Sequence, residues 1–308
     1  MELVRGLHNV GAPHRGCVLT IGAFDGIHRG HQEMIRVLRG HAAAHRLPAT
    51  VLSFEPTPRE FFAKAAPPGR LTRFREKYEA LRAQQVDRFV CLRFDERLRS
   101  MTADQFIDDV LIGALGVRHV VVGRGFKFAR NMTGNVDTLR AAGPRGNFEV
   151  TEVPPFEVDG ERVSSSLIRA ALEAGDIARA AKFLGRPYRM TGKVIEGSTL
   201  GRKLGFPTAN LRPLRRATPL AGVFAIRVSG GGLRDEPGVA NLGTRPAVNG
   251  KELLLEAHVF DFEGDLYRQY LHVDFIARLR DEQWFASVDE LVEQMKVDAA
   301  RAREILSH

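Results

Sequence analysis

Two histidines flank a glycine in GAFDGIHRGH, Gly22 to His31, and Gly22, Gly26 and Gly30 punctuate the same ten positions. Glycines let backbone approach a ligand, the free N–H groups of a starting helix favour an anion, and the imidazoles of His28 and His31 can donate to phosphate oxygens. Such a constellation suits a nucleoside triphosphate, and Phe24 and Asp25 fall inside the same cradle. Two surface histidines in an ordinary turn would give the same letters. What separates the two readings is the apolar run Cys17–Ile21 before the segment and the helical pattern after it. A second anion-binding pattern is RVSSSLIR, Arg162 to Arg169. Ser164, Ser165 and Ser166 would offer hydroxyls and N–H groups at a helix start, with the cation of Arg169 one turn on. The plainer alternative is an N-cap followed by a solvated arginine. Glu256 is a carboxylate within the apolar stretch LLEAHVFDF, Leu254 to Phe262. A charge there is costly unless it has a task, such as taking a proton from an alcohol, or an arginine partner.

The elements that must hold these residues change character along the chain. In the first part, short apolar runs alternate with helical patterns. Cys17–Ile21, Ala49 to Phe54, Phe89 to Phe94 and His119 to Val122 read as strands. Helices are predicted with Met34, Ile35 and Leu38 on one face, then Phe74, Tyr78 and Leu81 after Thr72, then Phe106, Val110 and Ala114 after a Thr102 cap. Alternation of this kind predicts an α/β unit with a parallel sheet and ligands at the carboxyl ends of its strands. Beyond about residue 185, runs at Tyr188–Ile195, Gly222 to Ser229, Leu253 to Phe262 and Tyr270 to Ala277 follow one another without long helices. They predict a small antiparallel β-barrel, closed by one C-terminal helix with a Ser287/Glu290 capping box and Leu291, Met295, Ala299, Ala302 and Leu306 on one face. Glycine and proline in LGRPY, Leu184 to Tyr188, place the boundary there, giving domains 1–184 and 185–308.

Bulk composition agrees with two cores: 308 residues, 44% of them hydrophobic, exceed the usual single domain. No run of about 18 apolar residues occurs and the start resembles no targeting peptide, so a soluble, cytoplasmic protein is expected. Cys17 and Cys91 lie in separate apolar runs and are expected to be buried, reduced thiols. The net charge of +8 is spread as single arginines among carboxylates, with no aromatic-interleaved basic stripe. Nucleic acid is therefore not an expected partner, and phosphate-bearing small molecules are.

The segment around His28 and His31 resembles the HxGH signature of the nucleotidyltransferase superfamily, a Rossmann-like fold, and Arg162 to Arg169 resembles its ISSTxIR motif. GRKLGFPTAN, Gly201 to Asn210, resembles the PTAN motif of riboflavin kinases, and Leu254 to Phe262 resembles their strand with a catalytic glutamate. GVFAIRV, VANLGTRP and DLY fit the same pattern. Over nearly the whole chain the sequence is similar to the bacterial bifunctional riboflavin kinase/FAD synthetase family. The resemblance implies that His28 and His31 stabilise charge on an ATP α-phosphate and that Glu256 takes the proton of riboflavin's 5′-hydroxyl. It also implies that Thr208 and Asn210 offer oxygens to Mg²⁺ already held by phosphates, and that Gly201 and Arg202, with Gly192 and Gly197, cover the nucleotide. His258 is read as structural. Riboflavin, FMN, FAD and ATP are the small molecules implied.

Five positions depart from the family pattern. Thr57 stands where FxPHP has histidine, Gly125 where a carboxylate or carboxamide is usual, and Ala129 where glycine is usual. In the second half Ala247 replaces the threonine of RPT, and Arg268 replaces a glycine. The first set predicts weakened adenylylation, each lost hydrogen bond being worth about 0.5–1.5 kcal/mol. The alternatives are a riboflavin kinase whose first domain binds without transfer, or a flavin or nucleotide sensor.

Overall fold

The computed structural model describes residues 1–63, 69–196, 204–213, 215, 217–247 and 250–307. By contact the chain forms two compact units, Met1–Pro67 with Thr72–Ser164, and Pro68–Leu71 with Ser165–His308.

The first unit is built on an all-parallel six-stranded sheet of β1 (Glu2–Arg5), β2 (Cys17–Ile21), β3 (Ala49–Glu55), β4 (Arg88–Arg93), β5 (Val117–Gly123) and β6 (Glu149–Val153). Apolar runs that are buried on both faces suit such a sheet. The pleat sends Cys17, Leu19 and Ile21 into one core with Leu111, Val120 and Val122. Val18, Val51 and Phe89 go into the other, against Met34, Ile35 and Leu38 of α1 (Arg29–His45). The strand order β1-β4-β3-β2-β5-β6 reverses direction at β2 and β5. Loops leaving those two strands therefore flank the crevice where open α/β sheets bind ligands. That places the Gly22–His31 segment and the Gly125 loop on the binding edge.

One helix departs from expectation. Thr102 does cap it, its hydroxyl accepting from Gln105 N at 3.2 Å, but Phe106–Ala114 is wound as a π-helix. The Leu115 amide reaches back five residues to the Val110 carbonyl. The sequence pairs apolar residues side by side, Phe106 with Ile107 and Val110 with Leu111, and the wider winding buries all four.

The second unit opens with helices Ser165–Glu173 and Ile177–Leu184; the latter lies against the barrel strands β9 and β14. After a short hairpin of β7 (Glu157–Val158) and β8 (Glu161–Arg162) in the first unit, the barrel strands are β9 (Tyr188–Ile195), β10 (Ala209–Arg212), β11 (Gly222–Gly230), β12 (Leu233–Ala247), β13 (Gly250–Val259) and β14 (Tyr270–Arg280). They close in the order β10-β13-β12-β11-β14-β9, all antiparallel, which leaves no free edge. Leu211, Leu255 and Leu242 pair across three strands and are fully buried. The C-terminal helix Val288–Leu306 packs Ala302 and Leu306 onto Val223, Ala225, Phe260 and Leu279. Its cap is half of the predicted box: Ser287 Oγ accepts from Glu290 N at 3.2 Å, whereas Glu290 Oε2 accepts from Ala286 N at 3.1 Å.

Cys17 and Cys91 are both free and buried, and they belong to opposite faces of the parallel sheet. Burial pushes the Cys17 thiol up to about 11. Among the described residues, no helix is long and apolar enough to cross a membrane.

Candidate functional sites

The turn after β2 is held in an unusual backbone shape. Phe24 and Ile27 take positive φ angles of 48° and 43°, with Gly26 at 90° between them. A β-branched residue in that region is strained and persists only where its surroundings enforce it. Phe24 and Ile27 are buried, and polar groups brace the turn from beneath. Asp25 Oδ1 accepts from Thr72 N at 2.9 Å and from its hydroxyl at 3.2 Å, while Gly26 N donates to Thr72 Oγ1 at 3.0 Å. The buried Lys77 Nζ donates to Ala23 O at 2.7 Å and to Ser53 Oγ at 3.2 Å. Gln32 Nε2 donates to Ile27 O at 2.9 Å. Asp25, expected at the ligand, is thus turned inward onto Thr72.

His28 becomes the N-cap of α1, its Nδ1 accepting from His31 N at 3.3 Å. The two imidazoles stack with ring centroids 3.6 Å apart, and Phe24 lies 5.0 Å from the His31 ring. A Cβ on Gly30 would stand 3.3 Å from the His28 ring, and one on Gly22 would stand 3.1 Å from Phe24. These glycines keep the histidine pair flat against the first helical turn. The histidine pair is legible in the sequence, whereas the parts played by Thr72 and Lys77 are not. Nothing in FREKYEALRA marks Lys77, since an amphipathic helix commonly shows its lysine to water.

Of the serine motif, Ser164 closes the first unit, and Ser165 and Ser166 open the helix Ser165–Glu173 of the second. Arg169 is buried and not solvated, with Nε donating to Gly69 O at 2.7 Å.

In the barrel, β13 sets Glu256 directly opposite Asn210 of β10 on one side and Asn241 of β12 on the other. Facing residues of antiparallel neighbours project to the same side. This row lies on the outer face, opposite the Leu211–Leu255–Leu242 row. Glu256, Asn241 and Thr208 line a cavity of about 430 Å³ with Phe206, Phe285 and Met295. Among the described residues, Asn210 Oδ1 and Asn241 Oδ1 are buried without a hydrogen-bond partner, a donor set that a hard, oxygen-seeking cation fits. His258 Nδ1 donates to Pro207 O at 2.8 Å and so ties the Pro207–Asn210 stretch to β13. Arg280 also borders the cavity, and its guanidinium grips the buried Asp298 carboxylate at 2.8–3.0 Å, holding the C-terminal helix in place. Asn241 escaped the sequence reading, although a lone amide in the strand-like VANLG was a signal. Gly197, Gly201 and Arg202 lie outside the described residues.

Two family models match in the order of the units: FAD synthetase over residues 11–167 and riboflavin kinase over residues 184–306. Curated relatives match end to end. The bifunctional riboflavin kinase/FMN adenylyltransferase of Pseudomonas fluorescens is 46% identical over 99% of this chain and 98% of its own. That of Escherichia coli K12 is 44% identical over 99% and 97%. The chain belongs to the bifunctional riboflavin kinase/FMN adenylyltransferase family. A crystal structure described as a macrolide-efflux protein of Streptococcus pneumoniae superposes with a TM-score of 0.85 at 30% identity, covering 98% of this chain and 99% of that one.

Positions that depart from the family pattern have physical consequences here. Thr57 is buried at the start of helix Pro58–Phe62, its hydroxyl and amide both meeting Glu60 Oε2 at 2.9 Å. Gly125 sits at φ 77° with open space where a side chain would project. Ala129 takes φ 64°, ψ −175°, a region nearly reserved for glycine. Arg268 likewise takes φ 67°, in the turn before β14. The backbone of Ala247 pairs with Gly250.

Proposed function

We propose that the barrel transfers the γ-phosphoryl group of ATP to the 5′-hydroxyl of riboflavin, giving FMN and ADP, and that the α/β unit transfers AMP from a second ATP to FMN, giving FAD and pyrophosphate. The observation that carries this reading is the cross-strand row Asn210–Glu256–Asn241 beside the cavity. Glu256 accepts the hydroxyl proton as the 5′-oxygen attacks the γ-phosphorus and the bond to ADP breaks. The amide oxygen of Asn210, with Thr208, would hold Mg²⁺, and Asn241 would add a second amide oxygen. When bound, the ion neutralises charge on the phosphate oxygens. Gly201 and Arg202 are assigned to the nucleotide by family resemblance.

In the α/β unit a phosphate oxygen of FMN attacks the α-phosphorus of ATP and pyrophosphate leaves, so no protein nucleophile is required. His28 and His31 donate to the α-phosphate oxygens, and the work is positioning and electrostatics. Gly22 and Gly30 allow the close approach, whereas Phe24, Asp25 and Gly26 act from beneath by shaping the turn. Ser164, Ser165, Ser166 and Arg169 are assigned to the departing pyrophosphate. The adenylyltransferase segment is taken as 1–184 and the kinase segment as 185–308, and the two buried thiols fit a cytoplasmic setting.

The loss of side chains at Gly125 and of the usual histidine at Thr57 favours one second reading, a kinase whose first unit binds without transfer. Incubation of the full chain with riboflavin, ATP and Mg²⁺, followed by chromatography of the flavins over time, separates the two. FMN followed by FAD is the expected result. FMN alone would select the second reading, and neither product would overturn both.

A further inference from the structure

Among the described residues, three metal-ligating side chains of the first unit converge at the end of α1 remote from the His28 cap. His41 and His45 stand four apart on the last turns of α1, and His119 projects from β5 beside them. One ring nitrogen from each lies within 4.8 Å of the others. We propose that His41, His45 and His119 form a binding site for a single divalent transition-metal ion of the zinc type.

The site is built as well as clustered. His119 is only 2% exposed, and its Nδ1 is buried with no hydrogen-bond partner. Glu149 Oε2, on the first residue of β6, is the nearest carboxylate at 3.4 Å and is placed to complete the coordination. Thr151 Oγ1 lies 2.8 Å from His119 Nε2 and 3.2 Å from His41 Nε2. A hydroxyl between two imidazoles orients both rings, the task that outer-layer hydrogen bonds perform around metal-bound histidines. The His41 and His119 rings are in contact at 3.9 Å, and the exposed His45, one turn further along α1, lies 5.6 Å from His119. Zn–N bonds of about 2.0–2.1 Å put tetrahedral ligand nitrogens roughly 3.3 Å apart. The cluster must therefore draw in by an ångström or so, and the exposed His45 can supply that movement. Imidazole suits zinc, copper or nickel and not magnesium, so this site would not draw on the Mg²⁺ proposed for phosphoryl transfer.

Its place in the fold gives it a role. α1 begins at the His28 cap and runs about 20 Å before His41, at 1.5 Å per residue. A metal at the far end would pin the C-terminal turns of α1 to β5 and β6, at the pole of the sheet opposite the nucleotide crevice. It would act as a clamp on the first unit and not as a participant in either transfer.

Equilibrium dialysis of the full-length chain against Zn²⁺, with millimolar Mg²⁺ present, tests this. About one zinc per chain is expected for the unaltered protein and for His31→Ala. His45→Ala, an exposed change that leaves the core intact, and His41→Ala/His45→Ala should lose at least tenfold in affinity. Zinc should also raise the melting temperature of the unaltered chain but not of His45→Ala, while metal-free His45→Ala keeps both flavin activities. No saturable binding, or an equivalent that survives the double substitution, would overturn the proposal. So would a bound zinc that vanishes with His31→Ala, since that would put the ion at the crevice.

Discussion

At the scale of single residues, the two proposed activities rest on different side chains and can be removed separately. Glu256→Gln should lower FMN formation by about 10²- to 10⁴-fold while leaving conversion of supplied FMN to FAD. His31→Ala should do the reverse, and loss of both activities in either variant would contradict separate sites. The departures from the family pattern also act residue by residue. Ala129 holds a backbone shape that costs a non-glycine residue about 1–3 kcal/mol. Ala129→Gly is therefore expected to stabilise the chain by about 1 kcal/mol net of the glycine's added unfolded-state entropy, read as a raised urea midpoint. Gly125 differs in kind: its surroundings are open, and asparagine tolerates positive φ. A Cβ there meets nothing within 4 Å among the described residues, so the loss of a side chain concerns binding more than packing.

At the scale of elements, α1 is positioned at its start by a brace that no sequence pattern announces. Lys77→Met keeps the volume but removes the donor to Ala23 O, at an expected cost of about 1–3 kcal/mol. FAD formation should fall while FMN formation holds, measured in the same chromatographic assay. Much of the architecture was legible. Strands β2 to β5 announce themselves as short apolar runs because burial on both faces leaves little room for polar residues. β1 was missed because only Val4 of its four residues is buried. β6, EVTEV, carries the exposed Glu149 and the half-buried Glu152 and reads as a polar connector. β12, LRDEPGVANLGTRPA, contains prolines and glycines that imitate turns, yet Gly238 to Ala247 pair without a break with β13. The site was legible to a similar degree and for a related reason. Motif residues carry type and spacing, so His28, His31 and Glu256 could be found along the chain. Asn241 and Lys77 matter through neighbours far away in sequence, and only register or burial reveals them.

At the scale of the whole molecule, the stability of the metal-free chain should depend on acid through one buried imidazole. Burial, with His41 and His45 alongside, pulls His119 from the ordinary 6.5 down to about 4. Between those values the unfolded chain holds a proton that the folded chain refuses. Its contribution is thus intact above about pH 6.5 and is lost as pH falls toward 4. Denaturant unfolding with a chelator present should show about 2 kcal/mol less stability at pH 5 than at pH 7 from this group. His119→Asn should flatten that part of the slope. The division into units has a different consequence. Gly69, Arg70 and Leu71 lie in the first half of the sequence but are counted by contact with the second. Arg169 Nε donates to Gly69 O, and Arg215 to the carbonyls of Arg70 and Leu71. A Cβ at Gly69 would run into the backbone of Thr218 and Pro219 at 2.9 Å. Exchanging the barrel for a relative's at a single crossover near residue 165 would inherit a mismatched four-residue insert, Pro68–Leu71, so a chimaera needs further joints inside the first half of the sequence.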